Sequence, residues 1–286
     1  MLAATLPVVD YATNSIAKRI AGADPAVCLS RFRDYPPSKG KLGFPRCLFE
    51  NPFPLNEKFW LKDVDFSCVS PWNDAHGRLR AGTVISKRHI VFAKHFQIAK
   101  GARILFADNE GGVCPVYIEE TCPVESADLV VGLLNAEVTP NIHPAKILPA
   151  NYAEYIGNGE GLPVITFNQH EQAFLSELRA TDPNRRYCYV GSLVPKDANW
   201  ARFRHPIIGG DSGDPAFILI GNEPIFIYTL SAGEAGGGPG IYYSRHRIQA
   251  AMDKLCPGYK LEEFDFESHQ RPFSSTSRRE QFPISQ

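Results

Sequence analysis

The reading of this chain turns on Gly209-Gly210-Asp211-Ser212-Gly213-Asp214-Pro215, which sets one serine in a turn whose neighbours are glycine or charged. Glycine admits backbone conformations closed to residues with a Cβ, so the amide N–H groups of such a turn can converge on a point beside the hydroxyl. A point of that kind is an oxyanion hole, and the serine beside it is a candidate nucleophile. Gly, Asp, Ser and Pro are also the residues of an ordinary solvated turn. The two readings separate on whether a base and an orienting acid stand elsewhere in the chain.

A candidate base ends the segment 82–96, GTVISKRHIVFAKHF. Two β-rich runs, Thr83 to Ser86 and Ile90 to Phe92, flank the polar pair Lys87-Arg88, and the second leads into Ala93, Lys94 and His95. An imidazole titrates close enough to neutrality to take a proton and return it. His89 is the rival within the segment. A candidate acid, Asp128, heads the run Asp128-Leu129-Val130-Val131-Gly132-Leu133-Leu134, after the small residues Ser126 and Ala127. The run is apolar enough for burial on both faces, so the carboxylate at its head would be half-buried and suited to holding an imidazole N–H. Asp108, in Ala107-Asp108-Asn109-Glu110-Gly111-Gly112, reads as a hairpin turn residue. Glu125 stays open as a stand-in for Asp128.

Downstream of the serine come the apolar strand 224–232, PIFIYTLSA, a glycine-rich turn, and Gly238-Pro239-Gly240-Ile241-Tyr242-Tyr243-Ser244-Arg245. Apolar positions then recur at helical spacing from Arg247 to Leu255.

Together these segments resemble the chymotrypsin/trypsin family of serine proteases, in its divergent bacterial or viral form. That family carries its nucleophile in Gly-Asp-Ser-Gly-Gly-Pro, and this chain departs from it at Asp214. The family's histidine follows two strands in Ala-Ala-His-Cys, where this chain has Lys94 and Phe96. The lost cysteine removes a disulfide that many bacterial and viral members also lack. His89 matches a frequently bulky position before the second strand and reads as structural. Asp128 matches the family's Asp-Ile-Ala-Leu-Leu segment, and Pro239-Gly240-Ile241-Tyr242 its Pro-Gly-Val-Tyr. The order His, Asp, Ser, pocket strands is the family's own, and the resemblance covers about residues 55 to 256.

The resemblance implies an all-β fold of two packed six-stranded Greek-key barrels, with a C-terminal helix and an N-terminal extension. The N-terminal arm would be 1–52 and the protease domain 53–256. The first barrel would run over about 53–150, the second over about 162–245, and the helix over about 245–255. Residues 151–161 read as the connection, and 257–286 as a disordered tail. With 286 residues, 44% hydrophobic and 11% aromatic, the chain can bury a sizeable core, and its 23 Gly and 23 Pro suit short strands joined by tight turns. Within the arm, Asp10 to Leu29 reads as a short helix and Arg31 to Pro54 as an extended wrap. Arg19-Ile20-Ala21-Gly22-Ala23 also resembles the cleavage site at which family zymogens are activated, after which the freed Ile20 amine would pair with Asp211.

The implied activity is peptide hydrolysis by a Ser212–His95–Asp128 triad through an acyl-enzyme, with the N–H groups of Gly210 and Ser212 as the oxyanion hole. In the family an acid six residues before the nucleophile selects Arg or Lys; Pro206 stands there instead. Pro206, Thr229, Leu230, Ser231 and Gly240 are the expected substrate-binding positions, with small or apolar side chains preferred before the cut unless Glu234 reaches the pocket. The main rival is a catalytically inactive member serving as a binding or scaffold module, for which Asp214 and Lys94 argue. A third possibility is a viral or bacterial processing protease that cuts its own precursor.

Net charge is −1, which gives no field for nucleic acid or an anionic membrane. No apolar run reaches the length of a membrane-spanning helix, about eighteen residues. The family is commonly secreted or periplasmic, but Met1-Leu2-Ala3-Ala4-Thr5-Leu6-Pro7 lacks the basic stretch of a signal peptide and leaves the compartment open. Of seven cysteines none has the paired spacing of a zinc site, and no metal or other cofactor is expected. Cys114 and Cys122 read equally as partners across a hairpin and as two buried thiols. His143 and His205, each before a proline, read as turn residues. The partner expected is a peptide or protein substrate, and the oligomeric state stays open.

Overall fold

Runs of β-branched and aromatic residues separated by glycine, proline and aspartate make strands the dominant element. A computed structural model of the chain describes residues 7–33, 53–70, 72–73, 80–179, 189–231 and 236–270. Seven strands form a first, antiparallel sheet: β1 (Val69–Ser70), β2 (Trp72–Asn73), β3 (Gly82–Ser86), β4 (His89–Ala93), β5 (Arg103–Ala107), β6 (Val113–Pro123) and β7 (Leu129–Leu134). Their order is β1-β3-β4-β7-β6-β5-β2. Strands β3, β4 and β7 are buried at every position, and β7 carries an unbroken run of Leu, Val and Gly, whereas β3 and β4 bury Thr83, Ser86 and His89 among their apolar residues. In β6 burial alternates, with Cys114, Val116 and Ile118 inside and Pro115, Tyr117 and Glu119 outside. The edge strands β1 and β2 are separated by one residue in the chain, and the Ser70 hydroxyl on β1 donates to the Leu105 carbonyl on β5. The sheet therefore nearly closes on itself as a barrel.

A second sheet holds β8 (Lys146–Ile147), β9 (Pro163–Phe167), β10 (Ala173–Leu178), β11 (Tyr189–Leu193), β12 (Pro215–Ile220), β13 (Glu223–Thr229) and β14 (Gly237–Pro239), in the order β14-β11-β10-β9-β12-β13-β8. Its pairs are antiparallel except β13 with β8. Beyond β13 the chain meets the opposite edge again: Tyr228 bridges Gly240, and the Ser231 N–H donates to the Gly237 carbonyl at 2.8 Å. The sheets meet across one continuous core. At its centre Phe66 lies edge-on to Phe167 and Phe217, with ring centroids 4.8 and 5.4 Å away, in contacts typical of interlocked aromatic side chains.

Six helices in the described residues flank the sheets: α1 (Pro7–Ile20), α2 (Pro25–Cys28), α3 (Ala153–Ile156), α4 (Ala198–Ala201), α5 (Ile241–Leu255) and α6 (Phe266–Gln270). The single helix expected over 10–29 is two, the second started by Asp24, whose carboxylate accepts from the Ala26 N–H at 3.1 Å. Helix α1 buries Val8, Ala12, Ile16 and Ile20, one face at helical spacing. Helix α5 begins at Ile241, earlier than the helical spacing predicts, and lays Ile241, Ile248, Ala251 and Met252 on the core. The short α3 falls within the expected connection 151–161.

One expectation needs correction, and one open alternative is decided. The segment 257–270, expected to be disordered, is packed: Phe264 and Phe266 are buried, the Tyr155 and Phe266 rings stack at 4.5 Å, and the Phe264 N–H donates to the Ile147 carbonyl at 2.9 Å. Two aromatic side chains outweigh the polar residues around them. Cys114 and Cys122 lie on one strand, β6, not across a hairpin, and are two buried free thiols. Residues 34–52 of the arm and 271–286 of the tail lie outside the described residues. No helix of the described residues is long and apolar enough to cross a membrane.

Candidate active site

Strand β4 ends at Ala93 and turns through a single 3₁₀ turn, Lys94–Phe96, which carries His95. In the loop between β6 and β7, Ser126 takes a left-handed φ of 54° and the Val124 N–H donates to the Leu129 carbonyl at 2.9 Å. This tight loop presents Asp128 at the mouth of β7. The Asp128 Oδ1 accepts from the His95 backbone N–H at 2.9 Å, and Oδ2 lies 2.6 Å from His95 Nδ1. On the other side of the ring, Nε2 lies 2.8 Å from the Ser212 hydroxyl. A carboxylate only accepts, so Nδ1 carries the ring proton and neutral Nε2 presents its lone pair to the serine O–H. The His95 side chain is 44% exposed, which leaves the relay open to a ligand. Asp128, rather than Asp108 or Glu125, thus meets the imidazole.

Ser212 belongs to the second sheet, in the turn that enters β12. Gly210 and Gly213 hold φ of 114° and 96°, conformations that favour glycine. The turn is fastened to the end of β13: the Gly213 N–H donates to the Leu230 carbonyl and the Leu230 N–H to the Asp214 carbonyl, both at 2.8 Å. Among the described residues the N–H groups of Gly210 and Ser212 have no acceptor. Two free amides flanking a serine hydroxyl make a site for negative charge.

Beneath the turn lie three carboxyls, Asp211, Asp214 and Glu171, each fully shielded from solvent. Asp211 Oδ2 accepts from the Ile208 N–H at 3.0 Å, its Oδ1 has no hydrogen-bond partner, and the nearby Gln169 backbone N–H helps to favour the carboxylate. Burial nevertheless raises its pKa above the ordinary carboxylate range. Neither oxygen of Asp214 has a partner, and burial, reinforced by Asp211 and Glu171, drives its pKa well above that range. The neutral, protonated form of Asp214 is therefore favoured. Burial raises Glu171 to about 7 against the pull of the Arg31 guanidinium.

The remaining expected positions are partly gathered here. Leu230 and Thr229 are buried beside the turn, Ser231 and Gly240 mark where β13 meets β14, and Pro206 is exposed with its carbonyl facing His205 Nδ1 at 2.7 Å. Ile207, rather than Pro206, faces inward: an added Cβ on Gly236 would meet Leu230, the Tyr228 hydroxyl and Ile207 at 3.1, 3.2 and 3.5 Å. The Tyr228 hydroxyl is hydrogen-bonded to Ser192 at 2.7 Å. Tyr228, Ser192 and Gln169 carry no sequence signal for a site. Glu234 lies outside the described residues.

Other candidates are elsewhere. The buried His89 ring is bonded to the Ser86 hydroxyl at 2.8 Å, and burial lowers its pKa to about 4. Asp108 caps the β5–β6 hairpin, its Oδ1 accepting from the Glu110 and Gly112 N–H groups. His143 pairs with Asp65 at 2.5 Å. Ile20 ends α1 with its side chain buried and its backbone within the helix, and Arg19 is paired with Asp63, whereas Ala21 and Gly22 are exposed.

The described residues contain no group of three His, Cys, Asp or Glu side chains placed to hold a metal ion. Chemically, the arrangement can deprotonate a serine hydroxyl as it attacks and stabilise the oxyanion that results. No protein-family model matches the chain, and no curated protein matches it.

Proposed function

We propose that the protein is a serine endopeptidase of the chymotrypsin/trypsin type. The observation that carries this reading is the relay from Asp128 through His95 to Ser212, at 2.6 and 2.8 Å, assembled from residues 33 and 117 positions apart. The topology supports the matching fold. With β1 and β2 taken as one bent strand, the first sheet runs β1/β2, β3, β4, β7, β6, β5; the second, leaving β8 aside, runs β9, β10, β11, β14, β13, β12. Each visits its strands in the order first, second, third, sixth, fifth, fourth, as two copies of one Greek-key barrel would.

In the reaction, Ser212 Oγ attacks the peptide carbonyl as its proton passes to His95 Nε2. Asp128 holds the ring through Nδ1–H and stabilises the imidazolium. The tetrahedral oxyanion is received by the N–H groups of Gly210 and Ser212, each worth about 3 kcal/mol in sites of this kind. The C–N bond then breaks, His95 gives its proton to the leaving amine, and water repeats the sequence on the acyl-enzyme to release the acid. Ile207, Leu230 and Tyr228 crowd the space over Gly236, which supports a preference for small or medium apolar side chains before the cut.

An inactive binding or scaffold module is the second reading, favoured by Asp214. That carboxyl is wholly buried, whereas Ser212 is partly exposed, and its favoured neutral form does not repel an oxyanion. Digestion of a defined peptide library by the full chain tests the proposal. Cuts after small or apolar residues, absent with Ser212→Ala and His95→Ala, are the expected result; cuts that persist in Ser212→Ala, or none by folded native chain, refute it.

A further inference from the structure

The N-terminal segment reaches the foundations of the site through one residue. Arg31 is 4% exposed, and its guanidinium donates to the Phe66 carbonyl at 3.0 Å, the Ala107 carbonyl at 2.9 Å and Glu171 Oε2 at 3.2 Å. Phe66 and Ala107 belong to the first sheet and its approach, and Glu171 to the β9–β10 hairpin of the second. The backbone follows: the Arg31 N–H donates to the Glu171 carbonyl at 3.0 Å, and the Ala173 N–H to the Leu29 carbonyl at 2.9 Å. The segment 29–31 is thus laced to the hairpin at Leu29 and at Arg31.

The same hairpin, 168–172, supports the nucleophile turn. Its Gln169 side chain lies so close to Gly210 that a Cβ there would come within 2.6 Å of Nε2, and its Gln169 backbone N–H is near enough to the Asp211 carboxyl to favour its ionised form. Glu171 itself holds a φ of 52°, a left-handed conformation that a glutamate keeps only where its surroundings impose it. Arg31 grips Glu171 by backbone and side chain alike. A lysine cannot replace it, because one ammonium lacks the planar fork that spans Ala107, Phe66 and Glu171 at once.

We propose that Arg31 is a positioning residue for catalysis: by pinning the 168–172 hairpin to the first sheet it sets the Gly210 and Ser212 amides, so turnover requires the N-terminal segment docked. This rests on the reading of Ser212 as nucleophile. Arg31 touches no reacting atom and acts through Glu171, Gln169 and Asp211.

The test is the kinetics of fluorophosphonate labelling on the full chain, resolved into a limiting rate and a half-saturating probe concentration, with folding followed by thermal unfolding. Arg31→Met should lower the limiting rate about 100-fold, the scale of a lost oxyanion donor, with the half-saturating concentration changed less than about threefold. Arg31→Lys should stay at least about tenfold slow by the same argument. Arg31→Met alone strands the Glu171 carboxyl in the core, so Arg31→Met/Glu171→Gln is the variant that folds most securely. A folded double variant that still labels slowly supports the proposal. If Arg31 only stabilises the fold, the folded double variant labels at the native limiting rate, and that result overturns the proposal. Native chain that does not label at all contradicts the assignment of Ser212 and takes this inference with it.

Discussion

Asp214→Asn exchanges a buried acid for an uncharged group of the same shape, and its consequences depend on the sign of one proton equilibrium. In the folded chain the Asp214 carboxyl lies in the core with neither oxygen bonded, and burial, with Asp211 and Glu171 close by, raises its pKa well above the ordinary value. Folding therefore takes up a proton at pH values between the unfolded and folded pKa. The stability associated with Asp214 is fully present below the unfolded value of about 3.9 and is lost as pH rises towards the folded one. The slope is at most about 1.4 kcal/mol per pH unit for a single group. The amide of the variant takes up no proton, and the titrations of Asp211 and Glu171 are common to both proteins. Between pH 5 and 7 the variant should gain on the native chain by as much as about 2.7 kcal/mol. Urea unfolding of both proteins at pH 5, 6 and 7 measures this directly. A stability difference that stays constant with pH, or turns against the variant as pH rises, refutes the reasoning. Ser212 labelling by a fluorophosphonate should stay within about threefold of native, since a neutral acid and an amide carry the same charge. A large acceleration would instead identify Asp214 as a charged brake on the oxyanion hole.

Three further outcomes follow from the same geometry. Asp128→Asn keeps the contacts but lets the ring adopt the wrong tautomer, and should slow peptide hydrolysis about 10⁴-fold while the unfolding midpoint moves little. Gly213→Ala forces a Cβ onto a φ of 96° with the Ala81 carbonyl 3.0 Å away; urea unfolding should show a loss of about 1–3 kcal/mol, and labelling of Ser212 should fall with the distorted turn. Phe217→Ala removes a ring from the junction of the two sheets, where it meets Phe66, Phe167 and Phe226, and should cost about 3–5 kcal/mol in denaturant titrations.

The three residues of the relay were legible because each sits at the end of an apolar strand, and a strand end in an otherwise buried run is where a polar side chain can face solvent and still be held rigidly. Asp108 was legible as a turn residue for the same local reason, through its bonds to the Glu110 and Gly112 N–H groups. What the sequence hides is pairing over distance. Arg31 and Glu171 are 140 residues apart, and nothing in the polar arm around Arg31 marks it for burial. Asp214 looked like a charge beside the serine because a turn is ordinarily solvated; its side chain is wholly buried instead. The segment 257–270 looked disordered by composition, yet Phe264 and Phe266 dock it against β8 and α3. The two thiols of β6 looked like possible partners because spacing alone does not tell one long strand from a hairpin.

The central claim is that Ser212 is an activated nucleophile, and the most direct measurement is to treat the native chain and Ser212→Ala with a fluorophosphonate probe and locate the adduct by peptide mass spectrometry. The account predicts one adduct, on Ser212, abolished by Ser212→Ala and by His95→Ala in proteins that remain folded. Folded native chain that carries no adduct, or carries it on another residue, contradicts it.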